Sequence, residues 1–340
     1  MGGIMAEKTV SQRAPRTGIA NVATRARVSP ATVSRVLNGD PRVGDTYRRR
    51  VEQAVRELDY RPNRVAQSLR KQRSQVIGVV ISDIENPHFS EMVRALEDTA
   101  YGAGFPVIVC NTDESSEKQR DYLRVLIAER VLGVVIAPSD PEGAEIAELL
   151  DDGIPVVAFD REVADPRADA VVADNVAAAR EATNLLLEAG HREIAFVGGR
   201  PAVETGSERL LGYELAMRAA GLPPRSVDGA FRLETAGAVV RELLTGPSVP
   251  TAFVIANNLM TLGALGAMQD AGARAAVVAF DDPPWAPFIS PPLTTLAQPV
   301  RRMAEDAMEL LLQRVSGERT EPRRIIHRFE PRLRGSLSPA

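Results

Sequence analysis

The sequence predicts an α/β protein in which a small helical N-terminal domain precedes two subdomains built on parallel sheets. Two observations lead to this prediction. Residues 19–58 contain three short segments whose apolar residues recur at helical spacing, and from residue 76 onward apolar runs alternate with segments of helix length. The length of 340 residues fits such a chain, because it exceeds the usual size of a single domain.

Three helices are expected at the N-terminal end. The first covers residues 19–27. Ser29 is a good N-cap for the second helix, which covers about residues 30–37 and stops at an Asn-Gly pair. The third helix covers about residues 45–58 and closes a small apolar core. The short connection between the first two makes them a helix-turn-helix.

The rest of the chain is expected to form two Rossmann-like subdomains. Eight apolar runs are typical of strands buried on both faces of parallel sheets, at residues 76–82, 106–111, 133–138, 155–160, 170–175, 193–199, 251–257 and 275–282. They are too many for one compact sheet. Ligands of such sheets bind outside the carboxyl ends of the strands. The polar residues to search first are therefore those that end the strands: Asp83, Asn111, Asp160, Asn175, Asn257 and Asp281.

Basic residues are concentrated at the N-terminal end. Residues 1–75 hold 16 lysines and arginines against 6 acidic residues. The whole chain has a net charge of -4, so the remaining residues carry an acidic excess of 14. A basic domain of this kind indicates a polyanionic partner such as DNA, and a solvated arginine-rich tail is the alternative that charge alone leaves open.

Other features indicate which classes of protein to exclude. The chain has no run of 18 apolar residues, and its first 18 residues lack the apolar segment of a secretory signal, so a cytoplasmic protein is expected. Cys110 is the single cysteine, which suits a reducing compartment. The three histidines share no metal-ligand spacing, and neither a phosphate loop nor a nucleophile–base pair stands out. We therefore expect no metal, no cofactor, no catalytic residue and no enzymatic activity.

Several stretches of the chain together resemble one protein family. They are ANVATRARVSPATVSRVLNGDPRV, YRPNRVAQSLR, IGVVISDIENPHFSEM, GHREIAFVGG, ERLLGY, IANNLMTLGAL, AFDD and PPLTTLAQP. In this order, from about Ile19 to Ser336, they resemble the LacI/GalR family of bacterial transcription regulators. The resemblance implies a core like that of periplasmic binding proteins. It also implies a homodimeric repressor whose affinity for pseudo-palindromic double-stranded operator DNA is controlled by a small-molecule effector.

The resemblance also implies the domain boundaries. A disordered extension over residues 1–17 precedes a DNA-binding domain over 18–60 and a hinge helix with its linker over 61–74. The N-subdomain of the effector domain then takes residues 75–162 and 294–322. The C-subdomain takes residues 163–293 and 323–336.

Residues that contact DNA are implied position by position. Pro30, Ala31 and Arg35 correspond to positions that meet base edges, and of these only Arg35 can form a bidentate pair with guanine. Contact of Arg35 with phosphate alone is the alternative. The remaining implied DNA contacts are phosphate-positioning groups at Ser29, Thr32, Ser34 and Asn38, and hinge-helix residues Asn63, Ala66 and Leu69. Leu69 corresponds to the family's minor-groove wedge, which bends the duplex.

The turn between the first two helices departs from the family at one position. Arg27 stands where the family often has glycine or asparagine. If this turn requires a left-handed backbone, arginine costs about 1 kcal/mol there.

The effector is expected in the cleft between the two subdomains. The family's contact positions fall on His88, Phe89, Asp160, Thr205, Arg209, Phe231, Asn257, Asp281 and Gln298, and Trp285 is a further candidate that could stack at the cleft. Carboxylates, an amide, an arginine and an aromatic ring suit a polyhydroxylated ligand, so a sugar or sugar derivative is predicted. For each acidic residue the alternative is a helix cap. For Trp285 the alternative is a structural role in covering the hinge beside the cleft.

A solute-binding protein of the periplasmic type, with no role in transcription, is the alternative function. It would share the core fold and the cleft. It should also begin with a signal peptide and lack a basic N-terminal domain, which is the opposite of this sequence. We therefore favour a regulator of transcription.

Overall fold

A computed structural model describes residues 19–37, 42–58 and 74–338. The chain divides into two compact units at Gln72 and Arg73. The expected N-terminal extension, Asn38 and the expected hinge helix with Asn63, Ala66 and Leu69 lie outside the described residues.

The first unit contains the three expected helices. They are α1 Ile19–Ala26, α2 Pro30–Leu37 and α3 Asp45–Glu57. Val22, Val33 and Val51, one from each helix, are fully buried against one another in a single apolar cluster. The helical spacing of the apolar residues therefore predicted both the elements and their buried faces.

The turn between α1 and α2 requires a left-handed residue. Arg27 has a φ of 54°, which costs a side-chain-bearing residue about 1–2 kcal/mol. The carbonyl of Arg27 accepts a long hydrogen bond from Arg50 Nη2 of α3, at 3.5 Å. Arginine at this position is thus tolerated at a modest cost.

Two six-stranded sheets form the second unit. The first has the order β11-β5-β4-β3-β1-β2 and is entirely parallel; the second has the order β12-β10-β9-β8-β6-β7 and is parallel except for its edge strand β12. The strands are β1 Ile77–Ile81, β2 Val107–Asn111, β3 Gly133–Ile136, β4 Val156–Phe159, β5 Asp169–Ala173, β6 Ile194–Gly198, β7 Arg225–Asp228, β8 Ala252–Ile255, β9 Ala276–Phe280, β10 Thr294–Ala297, β11 Arg324–His327 and β12 Glu330–Arg332.

Helices connect these strands. They are α4 Pro87–Gly102, α5 Ser116–Ala128, α6 Ala144–Asp151, α7 Asn175–Glu188, α8 Glu204–Ala219, α9 Leu233–Thr245, α10 Asn258–Asp270 and α11 Val300–Val315, with short 3₁₀ turns at Ala286–Phe288 and Gly335–Leu337. Helices cover both faces of the first sheet. Val79 and Ile81 of β1 pack in the cluster that contains α4 and α11, while Val80 packs in the cluster of α5 and α6. Burial on both faces explains why the strands form continuous apolar runs in the sequence.

The chain crosses between the sheets three times, at positions that differ from the expected boundaries. Strands β5 and β11 belong to the first sheet, although residues 163–293 and 323–336 were assigned to the C-subdomain. Strand β10 belongs to the second sheet, although residues 294–322 were assigned to the N-subdomain. Helix α11, which follows β10, packs against α4 as expected. Each boundary was wrong by one strand, because the sheet that a strand joins is decided by pairing with strands elsewhere in the chain. β5 joins the first sheet by pairing with β4, and β11 joins it by pairing with β5.

Candidate functional site

Helix α2 begins at a hydroxyl cap. Ser29 Oγ accepts a hydrogen bond from the backbone N–H of Thr32 at 3.1 Å and lies 2.9 Å from Thr32 Oγ1. The cap satisfies one of the free N–H groups in the first turn, and Pro30 has no N–H to satisfy. Ser29 and Thr32 thus start the helix, whatever else they contact.

The outer face of α2 carries the predicted base-reading residues. Val33 and Val36 are buried in the apolar core of the unit, whereas Pro30, Ala31 and Arg35 are exposed. Thr32 and Ser34 are half-buried. The helix therefore presents a single guanidinium group, with small apolar side chains before it. Among the predicted DNA contacts, Asn38, Asn63, Ala66 and Leu69 lie outside the described residues.

The second unit contains a cavity between the carboxyl ends of its two sheets. It is lined by Asp83, Asn86, His88, Phe89, Glu114, Asp160, Arg161, Thr205, Arg209, Ala230, Phe231, Arg232, Asn257, Asp281 and Gln298. The cavity volume is about 30 Å³, within a space of about 470 Å³ that includes the open mouth. The cavity is therefore narrow, and a small molecule enters it only if its walls move apart.

Two carboxylates enter this cavity from equivalent places. Asp160 follows β4 of the first sheet and Asp281 follows β9 of the second, and each has a φ of 66°. Ala230 and Phe231 in the loop before α9 are also left-handed, with φ values of 54° and 57°. Such conformations are unfavourable for residues that carry a Cβ, and they concentrate at functional sites.

His88 lies between the two carboxylates. Its Nε2 is 3.5 Å from Asp160 Oδ1, and its Nδ1 is 4.0 Å from Asp281 Oδ1. Burial lowers the pKa of His88, but the attraction of Asp160 and Asp281 outweighs burial, so the pKa is raised. Burial likewise opposes ionisation of Asp160, yet His88, Arg161 and Arg209 hold the pKa of that carboxyl below its usual value. The ionised carboxylates and a protonated imidazole therefore stabilise one another.

The stability of the protein should depend on the protonation of His88. A raised pKa in the folded state makes a stabilising contribution that is complete below the unfolded value of 6.5 and is lost as the pH rises through the folded value. We expect the melting temperature to fall as the pH rises above 6.5, and to fall less in His88→Gln. Thermal unfolding of both proteins between pH 6 and pH 9 measures this difference, and parallel pH profiles would contradict it.

All three arginines that line the cavity have partners. Arg161 forms a bidentate pair with Glu114, at 2.7 and 2.8 Å. Arg209 Nε donates to Asn175 Oδ1 at 2.8 Å, and Arg209 Nη1 donates to the carbonyl of Ala256. The guanidinium of Arg209 also lies over the ring of Phe280, 4.4 Å from its centroid.

The third arginine joins the two sides of the cleft. Arg232 Nη1 lies 3.2 Å from Asp83 Oδ2. Asp83 follows β1 of the first sheet, and Arg232 precedes α9, which belongs to the second sheet. This ion pair therefore spans the cavity.

The cavity contains nine of the ten residues predicted to contact an effector. Trp285 is not among the lining residues; it is partly buried and packs against the apolar core beside the 3₁₀ turn at Ala286–Phe288.

Six lining residues were not predicted as effector contacts. They are Asp83, Asn86, Glu114, Arg161, Ala230 and Arg232. Asp83 could have been found, because it ends a predicted strand and was among the first places to search. Arg161 and Arg232 each follow a predicted contact residue directly. No pattern in the sequence indicates that Glu114 faces Arg161.

Two general properties of the described residues bear on function. None of the helices among them is both long and apolar enough to cross a membrane. Within the same ranges, no three His, Cys, Asp or Glu side chains come together in a way that could hold a metal ion.

Comparisons with known proteins agree with the two-part architecture. The model for bacterial regulatory proteins of the lacI family matches residues 18–63, and the model for a periplasmic binding protein-like domain matches residues 183–337. The HTH-type transcriptional repressor PurR of Photobacterium profundum is 33% identical over 314 residues, which cover 90% of this chain and 94% of the repressor.

Two solved structures are similar to large parts of the chain. The Lac repressor dimer bound to operator and the anti-inducer ONPF has a TM-score of 0.86 at 28% identity, covering 95% of this chain and 100% of the repressor chain. A LacI family transcriptional regulator from Enterococcus faecium with bound ribose has a TM-score of 0.72 at 27% identity, covering 78% of this chain and 99% of the other. These similarities agree with the exposed Arg35 on α2 and with the cavity between the two sheets. They show that the chain belongs to the LacI family of DNA-binding transcriptional repressors, which carry an effector-binding domain.

Proposed function

We propose that the protein is a homodimeric repressor whose operator affinity is controlled by a sugar or sugar derivative bound in the cavity of the second unit. The observation that carries the effector assignment is the lining of that cavity. Carboxylates, amides and guanidinium groups lie there beside the rings of Phe89 and Phe231. Such a lining suits hydroxyl groups on one side of a ligand and its C–H face on the other.

Direct reading of the operator is assigned to α2. Arg35 can donate a bidentate pair to guanine O6 and N7 in the major groove, whereas Pro30 and Ala31 offer only apolar contact, for example to a thymine methyl. Ser29, Thr32, Ser34 and Asn38 position the backbone without reading sequence. Asn63, Ala66 and Leu69 belong to the hinge, and Leu69 is the wedge that bends the duplex in the minor groove.

Control by the effector is assigned to a shift between two arrangements of the cleft. The ligand is held in one arrangement by His88, Asp160, Thr205, Arg209 and Asn257, with the other predicted contacts that line the cavity. A ligand that binds one arrangement more tightly shifts the population toward it. In a dimer, only one arrangement brings the two hinge segments to a spacing at which both fold in the minor groove.

Two considerations support the homodimer. Paired helix-turn-helix units match the two-fold symmetry of a pseudo-palindromic operator. The Lac repressor to which the chain is similar is a dimer bound to operator.

The proposal is tested in two steps on the purified full chain. Rounds of selection from random DNA duplexes first identify the operator, which should be a pseudo-palindrome bound by two chains. Thermal-shift screening against neutral sugars, sugar phosphates, nucleobases and nucleosides then identifies ligands, and each hit is titrated into the operator complex. We expect a sugar or sugar derivative to stabilise the protein and to change operator affinity.

Three outcomes would each reject a part of the proposal. A selected site without two-fold symmetry would reject the dimeric reading of DNA. A nucleobase or nucleoside as the only class that changes operator affinity would reject the sugar. Binding of a sugar with no change in operator affinity would leave a solute-binding domain and reject its regulatory role.

A further inference from the structure

We infer that the cavity selects an uncharged polyhydroxyl ligand of monosaccharide size and discriminates against phosphorylated or carboxylated ligands. The inference rests on the proposed function, because it names the chemical class of the effector at the same site. Three sets of contacts carry it.

The first set is the pairing of the cationic side chains. A phosphate or carboxylate binds tightly where a guanidinium group is free to form charge-assisted hydrogen bonds with it. Both terminal nitrogens of Arg161 are engaged by Glu114, and the two side chains are 7% and 11% exposed. An anionic ligand would have to compete with a buried carboxylate for this arginine.

The other two arginines are also engaged. Arg209 donates to the neutral groups of Asn175 and Ala256. Its charge is attracted by the nearby carboxylates of Asp281 and Asp160. Arg232 faces Asp83 at 3.2 Å. Its side chain is 35% exposed, which makes it the most accessible of the three. Arg232 is therefore kept from binding an anionic ligand by its ion pair with Asp83.

The balance of charge is the second consideration. Four carboxylates line the cavity, at Asp83, Glu114, Asp160 and Asp281, and they face three guanidinium groups and His88. The site as a whole thus has no positive excess to attract an anion. A phosphate ester would add negative charge next to carboxylates in a poorly hydrated space, where repulsion is strong.

The third set is made up of buried polar atoms of lining residues that have no hydrogen bond. They are Gln298 Oε1, and His88 Nε2 and Arg161 Nε, each of which lies 3.5 Å from an oxygen of Asp160. Arg161 Nε can only donate, and Gln298 Oε1 can only accept. A hydroxyl group both donates and accepts, so a ligand carrying several hydroxyls satisfies both kinds of atom, whereas a phosphate dianion can only accept.

The size of the ligand follows from the narrowness of the cavity. The space of about 470 Å³ includes the open mouth, and the cavity volume is only about 30 Å³. A single sugar ring needs less opening of the walls than an oligosaccharide does.

The experiment uses matched pairs of probes that differ in one phosphate group. They are D-ribose and ribose 5-phosphate, D-glucose and glucose 6-phosphate, and D-fructose and fructose 1-phosphate. Calorimetric titration into the full-length protein measures each affinity. We expect at least one neutral sugar to bind, and its phosphate ester to bind at least about tenfold more weakly.

The variant Asp83→Asn tests the cause of the discrimination. It frees the charge of Arg232, while the amide oxygen can still accept the hydrogen bond that Asp83 Oδ1 receives from the backbone N–H of Glu85. Affinity for the phosphate ester should rise about tenfold. The gain should disappear in the double variant Asp83→Asn/Arg232→Ala. The control is Asp270→Asn, which removes a carboxylate of the exposed Arg241–Asp270 pair and should change neither affinity.

The outcomes separate this inference from the proposed function. A wild-type protein that binds a phosphate ester as tightly as the parent sugar, and responds to it on DNA, would overturn the inference and leave the proposed function standing. If no member of any pair bound, the sugar effector and this inference would both be overturned. An unchanged preference in Asp83→Asn, with the fold intact by thermal unfolding, would overturn the role of the Asp83–Arg232 pair.

Discussion

Replacement of Arg209 by methionine is expected to lower the free energy of unfolding by about 3–5 kcal/mol, because it leaves buried charges without their partner. Arg209 is 4% exposed and lies close enough to Asp281 and Asp160 for their charges to raise its pKa, although burial lowers the pKa more. Methionine keeps much of the volume but removes the positive charge and the hydrogen bonds to Asn175 and Ala256. Urea unfolding at neutral pH measures the loss.

The matched control for this variant lies on the same helix. Arg218→Met removes an arginine whose only ion pair, among the described residues, is the exposed (i, i+4) contact with Glu214. Its cost should be about 0.5 kcal/mol or less. A loss in Arg209→Met no larger than that in Arg218→Met would show that the carboxylates of the cavity do not depend on Arg209. Where enough folded Arg209→Met remains, its response to the effector should be lost.

The second large effect is expected on DNA. Arg35→Ala should weaken binding to the selected operator by about 1–3 kcal/mol, or roughly 5- to 150-fold, because a bidentate contact with guanine is lost. Arg35 is exposed on α2 while Val33 and Val36 form the core, so the fold of the first unit should survive. Fluorescence anisotropy with the operator and with single-base variants measures both affinity and discrimination. Discrimination at one guanine position should disappear.

A control variant separates base reading from phosphate contact. Arg49→Ala removes the same charge from an exposed position on α3. It should weaken binding evenly across operator variants, or leave it unchanged, without altering base preference. If Arg35→Ala behaved in the same way, with an even loss and a salt dependence reduced by about one contact, Arg35 would be a phosphate contact and not a base reader.

Elements that depend on local pattern were predicted well. The three helices of the first unit begin and end within one or two residues of their expected positions. All eight apolar runs contain a strand. Of the strands that were not predicted, β7, β11 and β12 lie at sheet edges or are exposed, so they lack the apolar run that marks a central strand. β10 is interior and buried, but half of its four residues are threonines, so it does not form an apolar run either.

The cavity was predicted in part, and the reason differs between its residues. Asp160, Asn257 and Asp281 end central strands, where the topology of parallel sheets brings side chains together. Glu114 and Arg232 lie in loops, and each matters because of a partner far away in the chain: Arg161 for Glu114, and Asp83 for Arg232. An ion pair between residues that are far apart in the chain produces no periodic pattern in the amino-acid sequence.

Local sequence pattern was sufficient to specify the helix-turn-helix with its Ser29 cap, the two-sheet α/β core and the strand-end carboxylates. These features follow from spacing, capping and apolar runs, which act over a few residues. The folded chain was needed to establish which sheet receives β5, β10 and β11, and which cations in the cavity are already paired. The sheet positions of these strands follow from strand register, and the pairing of the cations follows from the close approach of side chains more than forty residues apart in the chain. Local sequence pattern specifies neither of them.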